Sequence, residues 1–320
     1  MIASTDHSSM PPILKAQFFE AESMGERTRN TMPFVNVGKE NAEEIDLYYE
    51  DRGSGNPVVM VHGYPLSSRA WEKQVPALVG AGYRVITYDR RGFGRSSQPW
   101  MGYNYDTFAE DLNALVTKLN LRDFALVGHS MGGGELARYM GKYGTDKVSK
   151  AVFVSAVTPH LLTTQDDPGG IPSDVFTEFD KQVLTDRPAF LNKFCSDFYN
   201  IDVLRGKMAS DQDVQSSWMI AVGASPKGAH DCIDTWGTDF REDLKRVDIP
   251  VLVIHGDADR IVPIQYSGKR MSQYVKGSKL VVVPGGPHGI AWTHSDMVNR
   301  ELLNFLAQGE KTEAARMVAH

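Results

Sequence analysis

The chain has 320 residues, of which 42% are hydrophobic and 23% charged, and its formal net charge at pH 7 is −6. This length and composition can bury one substantial core, as one large domain or as one domain with an insertion. The net negative charge provides no basic field to attract phosphates, which argues against a nucleic-acid partner and favours a small, neutral substrate.

We read no targeting segment and no disulfide or zinc motif from the sequence. Near the N-terminus no apolar run is longer than the fragments around Ile13 and Phe18, so we read neither a secretory signal nor a membrane span and expect a cytoplasmic protein with no membrane partner. Cys195 and Cys232 lack the close spacing of a disulfide scaffold or a zinc site. We expect both to be inert, buried thiols.

Apolar strands alternate with helical stretches from about Glu44 onward, which is the pattern of a βα protein. Their β-branched residues suit parallel strands that are covered on both faces. The architecture predicted is therefore α/β, a doubly wound and mostly parallel sheet. The predicted strands are residues 45–49, 57–61, 84–88, 124–127, 151–155, 251–254 and 280–283, and the predicted helices are 108–119, 135–143 and 297–306.

One region interrupts this alternation. Residues 158–235 contain no strong strand and are rich in aromatic residues, proline and aspartate, so we predict an inserted helical cap there. The cap divides the core into residues 32–157 and 236–308. Residues 1–31 and 309–320 are polar and weakly patterned, and we expect an N-terminal extension and a C-terminal tail.

Residues 128–132 (GHSMG) form the only G-x-S-x-G pattern of the chain and lie between a predicted strand and a predicted helix. A nucleophilic serine at such a junction sits on a tight, strained turn, and the flanking glycines avoid clashes with the neighbouring strand and helix. Ser130 is therefore the predicted nucleophile. The alternative, a glycine-rich turn with an ordinary serine, does not account for the strand-turn-helix context.

A serine hydroxyl needs a base that accepts its proton during attack. Among nine histidines, His288 is the best placed, because it follows the strand 280–283 through a PGGP turn. That position is the carboxyl end of a predicted parallel strand, where active sites of such sheets lie. His294 is the closest alternative, and it suits a capping or packing role better.

The acid is expected in residues 255–260 (HGDADR), which follow the preceding strand and offer Asp257 and Asp259. Serine, aspartate, histidine is a chain order in which such triads occur. We assign Asp259 and keep Asp257 as the alternative. In a competing interpretation His255 and both aspartates bind a metal, but Gly256 indicates a turn rather than a ligand-bearing strand face, so no metal site is expected.

Acyl transfer also needs donors for a developing oxyanion, usually two backbone N–H groups. Met131, directly after the nucleophile, supplies one. The second is expected from residues 62–65 (HGYP), where Tyr64 is the best placed because Pro65 has no N–H.

Two further segments need an interpretation. Residues 89–96 (DRRGFGRS) lack the spacing of a nucleotide-binding loop, so we predict a structural turn. Aromatic residues of the cap are candidates for the wall of an apolar pocket, together with Pro65 beside the oxyanion loop. These aromatic candidates are Phe176, Phe190, Phe198, Tyr199, Trp218 and Trp236, of which Trp218 and Trp236 are our choice for the substrate pocket.

From about Met32 to Leu306 the sequence resembles the cofactor-free bacterial chloroperoxidases, or non-heme haloperoxidases, a branch of the α/β-hydrolase fold that overlaps with esterases, perhydrolases and γ-lactamases. One departure is His129, where this branch often carries phenylalanine. The similarity rests on residues 32–38 (MPFVNVG), 45–51 (IDLYYED), 62–66 (HGYPL), 88–94 (YDRRGFG), 128–132 (GHSMG), 287–289 (PHG) and 292–294 (WTH).

The resemblance implies a serine hydrolase without a cofactor that acts on small carboxylic esters or lactones through an acyl-serine, with a perhydrolase and haloperoxidase side activity. A proline directly after the oxyanion-loop aromatic tends to accompany this side activity, and Pro65 occupies that position. The family's triad falls on Ser130, Asp259 and His288, and its oxyanion amides fall on Tyr64 and Met131.

Two alternatives stay open at this point. Amide hydrolysis of γ-lactams belongs to the same branch, and a ligand receptor that keeps the triad without turnover occurs on the same fold. The expected partner is a small ester, lactone or carboxylic acid, and self-association into a homo-oligomer is left open.

Overall fold

An eight-stranded sheet forms the centre of the computed structural model, which describes residues 33–308. The predicted extension, residues 1–31, and the predicted tail, residues 309–320, lie outside the described residues. The strands are β1 (Phe34–Glu40), β2 (Glu43–Arg52), β3 (Pro57–Val61), β4 (Arg84–Tyr88), β5 (Phe124–His129), β6 (Val148–Val154), β7 (Val251–Gly256) and β8 (Lys279–Val283).

The strand order is β1-β2-β4-β3-β5-β6-β7-β8. β2 pairs antiparallel with β4, whereas all the pairs from β4 to β8 are parallel. The fold is therefore the predicted doubly wound, mostly parallel α/β sheet. All residues of β5 and β7 are buried, as expected for central strands covered on both faces.

Helices connect the strands and cover the sheet. Residues from Val35 onward form one unit, whose buried apolar side chains divide into two clusters. None of the helices among residues 33–308 is long and apolar enough to cross a membrane. The helices are α1 (Gln74–Gly80), α2 (Tyr105–Lys118), α3 (Met131–Tyr143), α4 (Ser173–Thr185), α5 (Arg187–Phe198), α6 (Ile201–Leu204), α7 (Asp211–Val222), α8 (Pro226–Thr235), α9 (Arg241–Leu244), α10 (Ile290–Thr293) and α11 (Ser295–Leu306), with 3-10 turns at Ser68–Trp71 and Gly268–Gln273.

Six helices, α4 to α9, lie between β6 and β7, and the first five, α4 to α8, form the inserted cap. α4 contributes little to the buried core, because Val183 is its only buried residue. Asp180 of α4 lies beside Asp234 of α8, and burial together with the Asp234 carboxylate raises the pKa of Asp180 to about 6. Proton uptake by Asp180 therefore relieves the repulsion between α4 and α8 in mildly acidic solution.

Four elements outside the cap, not counting the 3-10 turns, escape the sequence prediction, including the four-residue helices α9 and α10. β1 is not predicted, and α1 is not predicted because it spans only seven residues and contains Pro76. Proline is tolerated in the first turn of a helix, where the N–H has no intrahelical acceptor. α2 begins three residues earlier than predicted, since the Asn104 side chain accepts a hydrogen bond from the Thr107 N–H and caps the helix.

Candidate active site

Ser130 lies at the sharp turn between β5 and α3. Its backbone has φ 55° and ψ −121°, a left-handed conformation that is strained for a residue with a side chain. The turn also brings neighbouring backbones close together: a Cβ on Gly128 would lie 2.7 Å from the carbonyl of Gly132, and one on Gly132 would lie 2.3 Å from the Val61 oxygen. Glycine is therefore required on both sides of Ser130.

Asp259 and His288 follow β7 and β8 and meet at the carboxyl edge of the sheet. One Asp259 carboxylate oxygen lies 2.8 Å from His288 Nδ1, and the other accepts hydrogen bonds from the N–H groups of Ile261 and Val262, at 3.0 and 2.8 Å. The alternative acid, Asp257, is exposed and accepts a hydrogen bond from the Gly285 N–H. The structure thus brings Asp259 to His288 and directs Asp257 elsewhere.

The charge of Asp259 is stabilised despite its burial. Burial alone raises the pKa of this carboxyl, but the attraction of His288 and hydrogen bonds from His255 and His288 outweigh burial and hold the pKa below its usual range. His255 Nε2 lies 3.4 Å from the same oxygen that faces His288. The Asp259 carboxylate consequently stays ionised and can fix the tautomer of the His288 ring.

His288 is completely buried, and its second ring nitrogen, Nε2, has no hydrogen-bond partner among the described residues. Phe198 and His129 pack against the ring, with centroids 5.2 and 4.8 Å away. His129 Nε2 lies 3.0 Å from the His288 carbonyl oxygen. Burial, then the charge of His288, lowers the pKa of His129 to about 3, so His129 is neutral and donates this hydrogen bond.

The loop after β3 lies directly against the serine. A Cβ on Gly63 would approach the Ser130 Cβ to 2.8 Å, so only glycine permits this contact. The backbone N–H of the next residue, Tyr64, has no hydrogen-bond acceptor among the described residues. Its side-chain hydroxyl donates to the Ala229 carbonyl of α8 at 2.9 Å. Met131 is the first residue of α3, where backbone N–H groups have no intrahelical acceptor.

A cavity of about 280 Å³ opens onto Ser130 beneath the cap. Its wall is mostly apolar, and Arg260 is its one charged side chain. The remaining lining residues are Tyr64, Val157, Leu161, Ile171, Pro172, Val175, Phe176, Phe179, Phe194, Trp236, Ile261, Val262, Pro263 and Tyr266.

Two of the residues predicted for the pocket wall line this cavity. Trp236 lines the cavity, as does Phe176. Trp218 does not, because its indole N–H donates to the Pro188 carbonyl at 2.9 Å and holds the ring between α5 and α7. Pro65 is buried behind Tyr64, to which it is joined by a cis peptide bond, and it does not line the cavity either. The placement of Trp218 and Pro65 in the pocket wall is therefore wrong.

The sequence interpretation missed three aromatic lining residues, Phe179 and Phe194 of the cap and Tyr266 of the core; a signal exists for the first two. Their helical spacing is the signal that could have found them, since Phe179 follows Phe176 by three residues and Phe194 follows Phe190 by four. Side chains at these spacings share one face of a helix.

Metal-binding and thiol chemistry have no further support at this site. Within residues 33–308 no cluster of three or more histidine, cysteine or acidic side chains has the arrangement of a metal site. Cys195 and Cys232 are buried, and burial raises the pKa of each thiol to about 12, so both thiols stay protonated.

Comparison with known proteins places the chain in a family. Residues 56–295 match the family model of the α/β-hydrolase fold. A Synechocystis protein provisionally named a non-heme chloroperoxidase is 55% identical over 86% of this chain and 100% of its own length. A bifunctional esterase/perhydrolase of Acinetobacter calcoaceticus is 38% identical over 82% of this chain and 96% of its own length.

A solved structure extends the likeness to three dimensions. The bromoperoxidase of Bacillus anthracis is 50% identical, superposes with a TM-score of 0.83, and covers 86% of this chain and 99% of that one. Sequence family, fold and strand order therefore agree. The chain is an enzyme of the α/β-hydrolase family and belongs to its branch of non-heme chloroperoxidases and esterase/perhydrolases.

Proposed function

We propose that the enzyme hydrolyses small carboxylic esters or lactones through an acyl intermediate on Ser130. His288 serves as the base, and Asp259 orients and stabilises it. The N–H groups of Tyr64 and Met131 bind the oxyanion. The observation that carries this proposal is the state of His288: Nδ1 is fixed 2.8 Å from the ionised Asp259, while Nε2 is buried and has no partner.

The steps follow from this arrangement. Ser130 Oγ attacks the carbonyl carbon and its proton passes to His288 Nε2, while the carbonyl oxygen takes the negative charge and accepts hydrogen bonds from the two amides. The carbon–oxygen bond to the alcohol breaks, and the alcohol leaves with the proton from His288. Water then attacks the acyl-serine, His288 takes its proton, and the acid departs as Ser130 regains that proton.

The cavity limits the substrate. Its volume of about 280 Å³ lies at or below the lower end of pockets that hold drug-sized ligands, and aromatic and aliphatic side chains form most of its wall. These properties suit a short, apolar acyl or lactone group. A large or highly charged substrate would have to displace the cap.

Ser130→Ala tests the nucleophile. We expect turnover of p-nitrophenyl acetate to fall by about 10⁶-fold, to near background, because the hydroxyl is the covalent acceptor. Labelling by a fluorophosphonate should disappear while the circular dichroism spectrum stays native. A labelled and active variant would show that the nucleophile is misassigned.

Peroxide can replace water in the second step, as supported by the similarity to a bifunctional esterase/perhydrolase. An acetyl-serine formed from acetic acid then yields peracetic acid, which oxidises bromide in solution. We expect bromination of monochlorodimedone in acetate buffer with peroxide to require both acetate and Ser130, to survive a chelator, and to fall in Pro65→Leu. Halogenation that is independent of Ser130 would contradict the acyl-serine route.

Steady turnover separates this enzyme from a receptor on the same fold. A p-nitrophenyl ester series should give sustained release with every short acyl group, whereas a receptor would give at most one slow burst. A γ-lactam assayed beside the corresponding lactone shows whether amides are also cleaved. Faster turnover of the lactam would make amide hydrolysis the main activity.

A further inference from the structure

The turn 89–96, which follows β4, contains a charged group that a turn alone does not need. Asp89 accounts for the turn: its carboxylate accepts hydrogen bonds from the N–H groups of Ser68 and Arg95, at 2.7 and 2.8 Å. The next residue, Arg90, is completely buried. Burying a guanidinium is costly unless it is paired and hydrogen-bonded, so its partners should explain its presence.

Arg90 connects two parts of the chain. Its Nη2 donates to the His62 carbonyl oxygen at 2.8 Å, and its backbone N–H donates to His62 Nε2 at 3.0 Å. Its Nε donates to Glu135 Oε2 at 2.7 Å, and the Tyr88 hydroxyl donates to the other oxygen of Glu135. Glu135 is also completely buried. The Glu135 and Tyr88 interactions outweigh burial and raise the pKa of Arg90, so the guanidinium is charged.

These two partners belong to the two elements that carry the oxyanion donors. His62 lies two residues before Tyr64, and Glu135 lies in the second turn of α3, which begins at Met131. The guanidinium therefore connects the loop after β3 to α3, the helix that follows the nucleophile. The planar guanidinium fixes the direction as well as the length of its hydrogen bonds, whereas a lysine ammonium does not fix their direction.

We infer that Arg90 and Glu135 are positioning residues that set the separation of the Tyr64 and Met131 N–H groups. The inference rests on the proposed function, which assigns those amides to the oxyanion. Oxyanion donors act because they are preorganised, and a shift on the order of 1 Å in such a group lowers the rate substantially. Hydrolysis thus depends on an ion pair that does not touch the substrate.

The chain contains a matched control next to Arg90. Arg91 forms a second buried ion pair with Asp111, through two hydrogen bonds of 2.6 Å. This pair ties the same turn to α2 rather than to α3, and within residues 33–308 neither side chain hydrogen-bonds to the loop 62–65 or lines the cavity. Breaking it should destabilise the fold in a similar way without moving an oxyanion donor.

The first comparison is Glu135→Gln against Asp111→Asn, each normalised to folded molecules by fluorophosphonate titration. We expect Glu135→Gln to lower kcat/KM for p-nitrophenyl acetate about tenfold through kcat, with KM nearly unchanged, since only the transition state uses the donors fully. Affinity for a trifluoromethyl ketone, whose oxyanion occupies the same place, should fall by the same factor. Asp111→Asn should change neither value more than about twofold, because no oxyanion donor moves.

Arg90→Lys is the second variant, for the case that Glu135→Gln does not fold. It keeps the charge but cannot hold both His62 and Glu135, so the same loss of kcat and of ketone affinity is expected. Equal effects of both pairs, or an unchanged ketone affinity in folded Glu135→Gln and Arg90→Lys, would overturn the inference. Failure of the proposed function is a separate outcome. It would appear as ester turnover that persists when Ser130→Ala alone is introduced into the enzyme.

Discussion

The carboxyl edge of the sheet and the cap above it are held together in different ways. At the sheet edge, directional bonds dominate: Asp259 is fixed by two backbone N–H groups and by His288, and the His288 carbonyl accepts a bond from His129. In α4 the side-chain hydrogen bonds join residues of the same helix, and Asp180 faces Asp234 of α8.

At the cavity wall, apolar contacts dominate instead. Phe179 packs on Trp236 with the ring centroids 6.0 Å apart, and Trp236 packs on Tyr64 at 5.0 Å. Such packing tolerates exchanges of shape more readily than a hydrogen-bond network does. The comparison teaches that the reacting groups and the apolar side chains of the pocket wall can change independently: variants at the edge should alter the rate, and side-chain variants in the wall should alter the choice of substrate.

The largest expected effect lies at the sheet edge. Asp259→Asn should lower kcat about 10³- to 10⁴-fold, because the amide neither stabilises the protonated His288 nor enforces its tautomer. Asp257→Asn is the control, and its loss should be far smaller since Asp257 is exposed and bonded to the Gly285 N–H. Steady-state kinetics with p-nitrophenyl acetate decides the assignment; equal losses, or a larger one at Asp257, would reverse it.

A variant of the cap should change specificity. Trp236→Ala enlarges the cavity, so we expect the ratio of kcat/KM for p-nitrophenyl hexanoate over acetate to rise about tenfold, equivalent to the burial of about two further methylene groups. Trp218→Ala is the control, since Trp218 lies outside the cavity wall. A similar change in both variants, or a large fall in kcat for acetate in Trp236→Ala, would contradict the separation of edge and cap.

The free energy of unfolding should also depend on pH in opposite directions through the two regions. The sheet edge makes the larger contribution. Folded His129 stays neutral down to a pKa of about 3, whereas an unfolded histidine binds a proton below about pH 6.5. The free energy of unfolding therefore falls as the pH falls below 6.5. His129→Phe should remove about 2 kcal/mol of this loss between pH 6.5 and 5.

Urea unfolding at several pH values measures the difference in slope between the parent and His129→Phe. His62, whose pKa is also lowered by burial, contributes to the slope of both proteins. Parallel curves for the two proteins would show that His129 is protonated in the folded state.

Asp180 predicts a smaller effect in the cap. Its pKa is raised to about 6, against about 3.9 in an unfolded chain, so its contribution is present at low pH and is lost as the pH rises from about 4 through 6. Deprotonation leaves two carboxylates facing each other between α4 and α8, at a cost of about 1 kcal/mol. The protection factors of the amides in residues 173–185, which are corrected for the intrinsic pH dependence of exchange, should be lower at pH 7 than at pH 5, and Asp180→Asn should remove most of that difference.

The sequence is most informative where one local rule decides the structure. β3 and β4 have the predicted bounds because each is a short apolar run, and the elbow at Ser130 follows from the spacing of its glycines. The sequence does not separate Asp257 from Asp259, because both lie in one polar turn. They differ in burial, which depends on β8 and on the loop that follows it, and no local pattern encodes that contact.

Long-range pairs are equally hidden. Arg90 and Glu135 lie 45 residues apart, and the turn around Arg90 reads as a structural turn because nothing nearby identifies its partner. Trp218 and Trp236 are both aromatic residues of the cap, and only tertiary packing directs one ring to the cavity and the other to the Pro188 carbonyl.

The hydrogen bond from the Tyr64 hydroxyl to Ala229 has a consequence for engineering the cap. The acceptor is a main-chain carbonyl of α8, so the side chain at position 229 can vary without loss of the bond as long as the helix backbone keeps its place. A graft that brings a foreign cap onto this core should therefore be chosen by the path of its last helix rather than by sequence. A misplaced helix would release the tyrosine and slow even those substrates that the new cap accommodates.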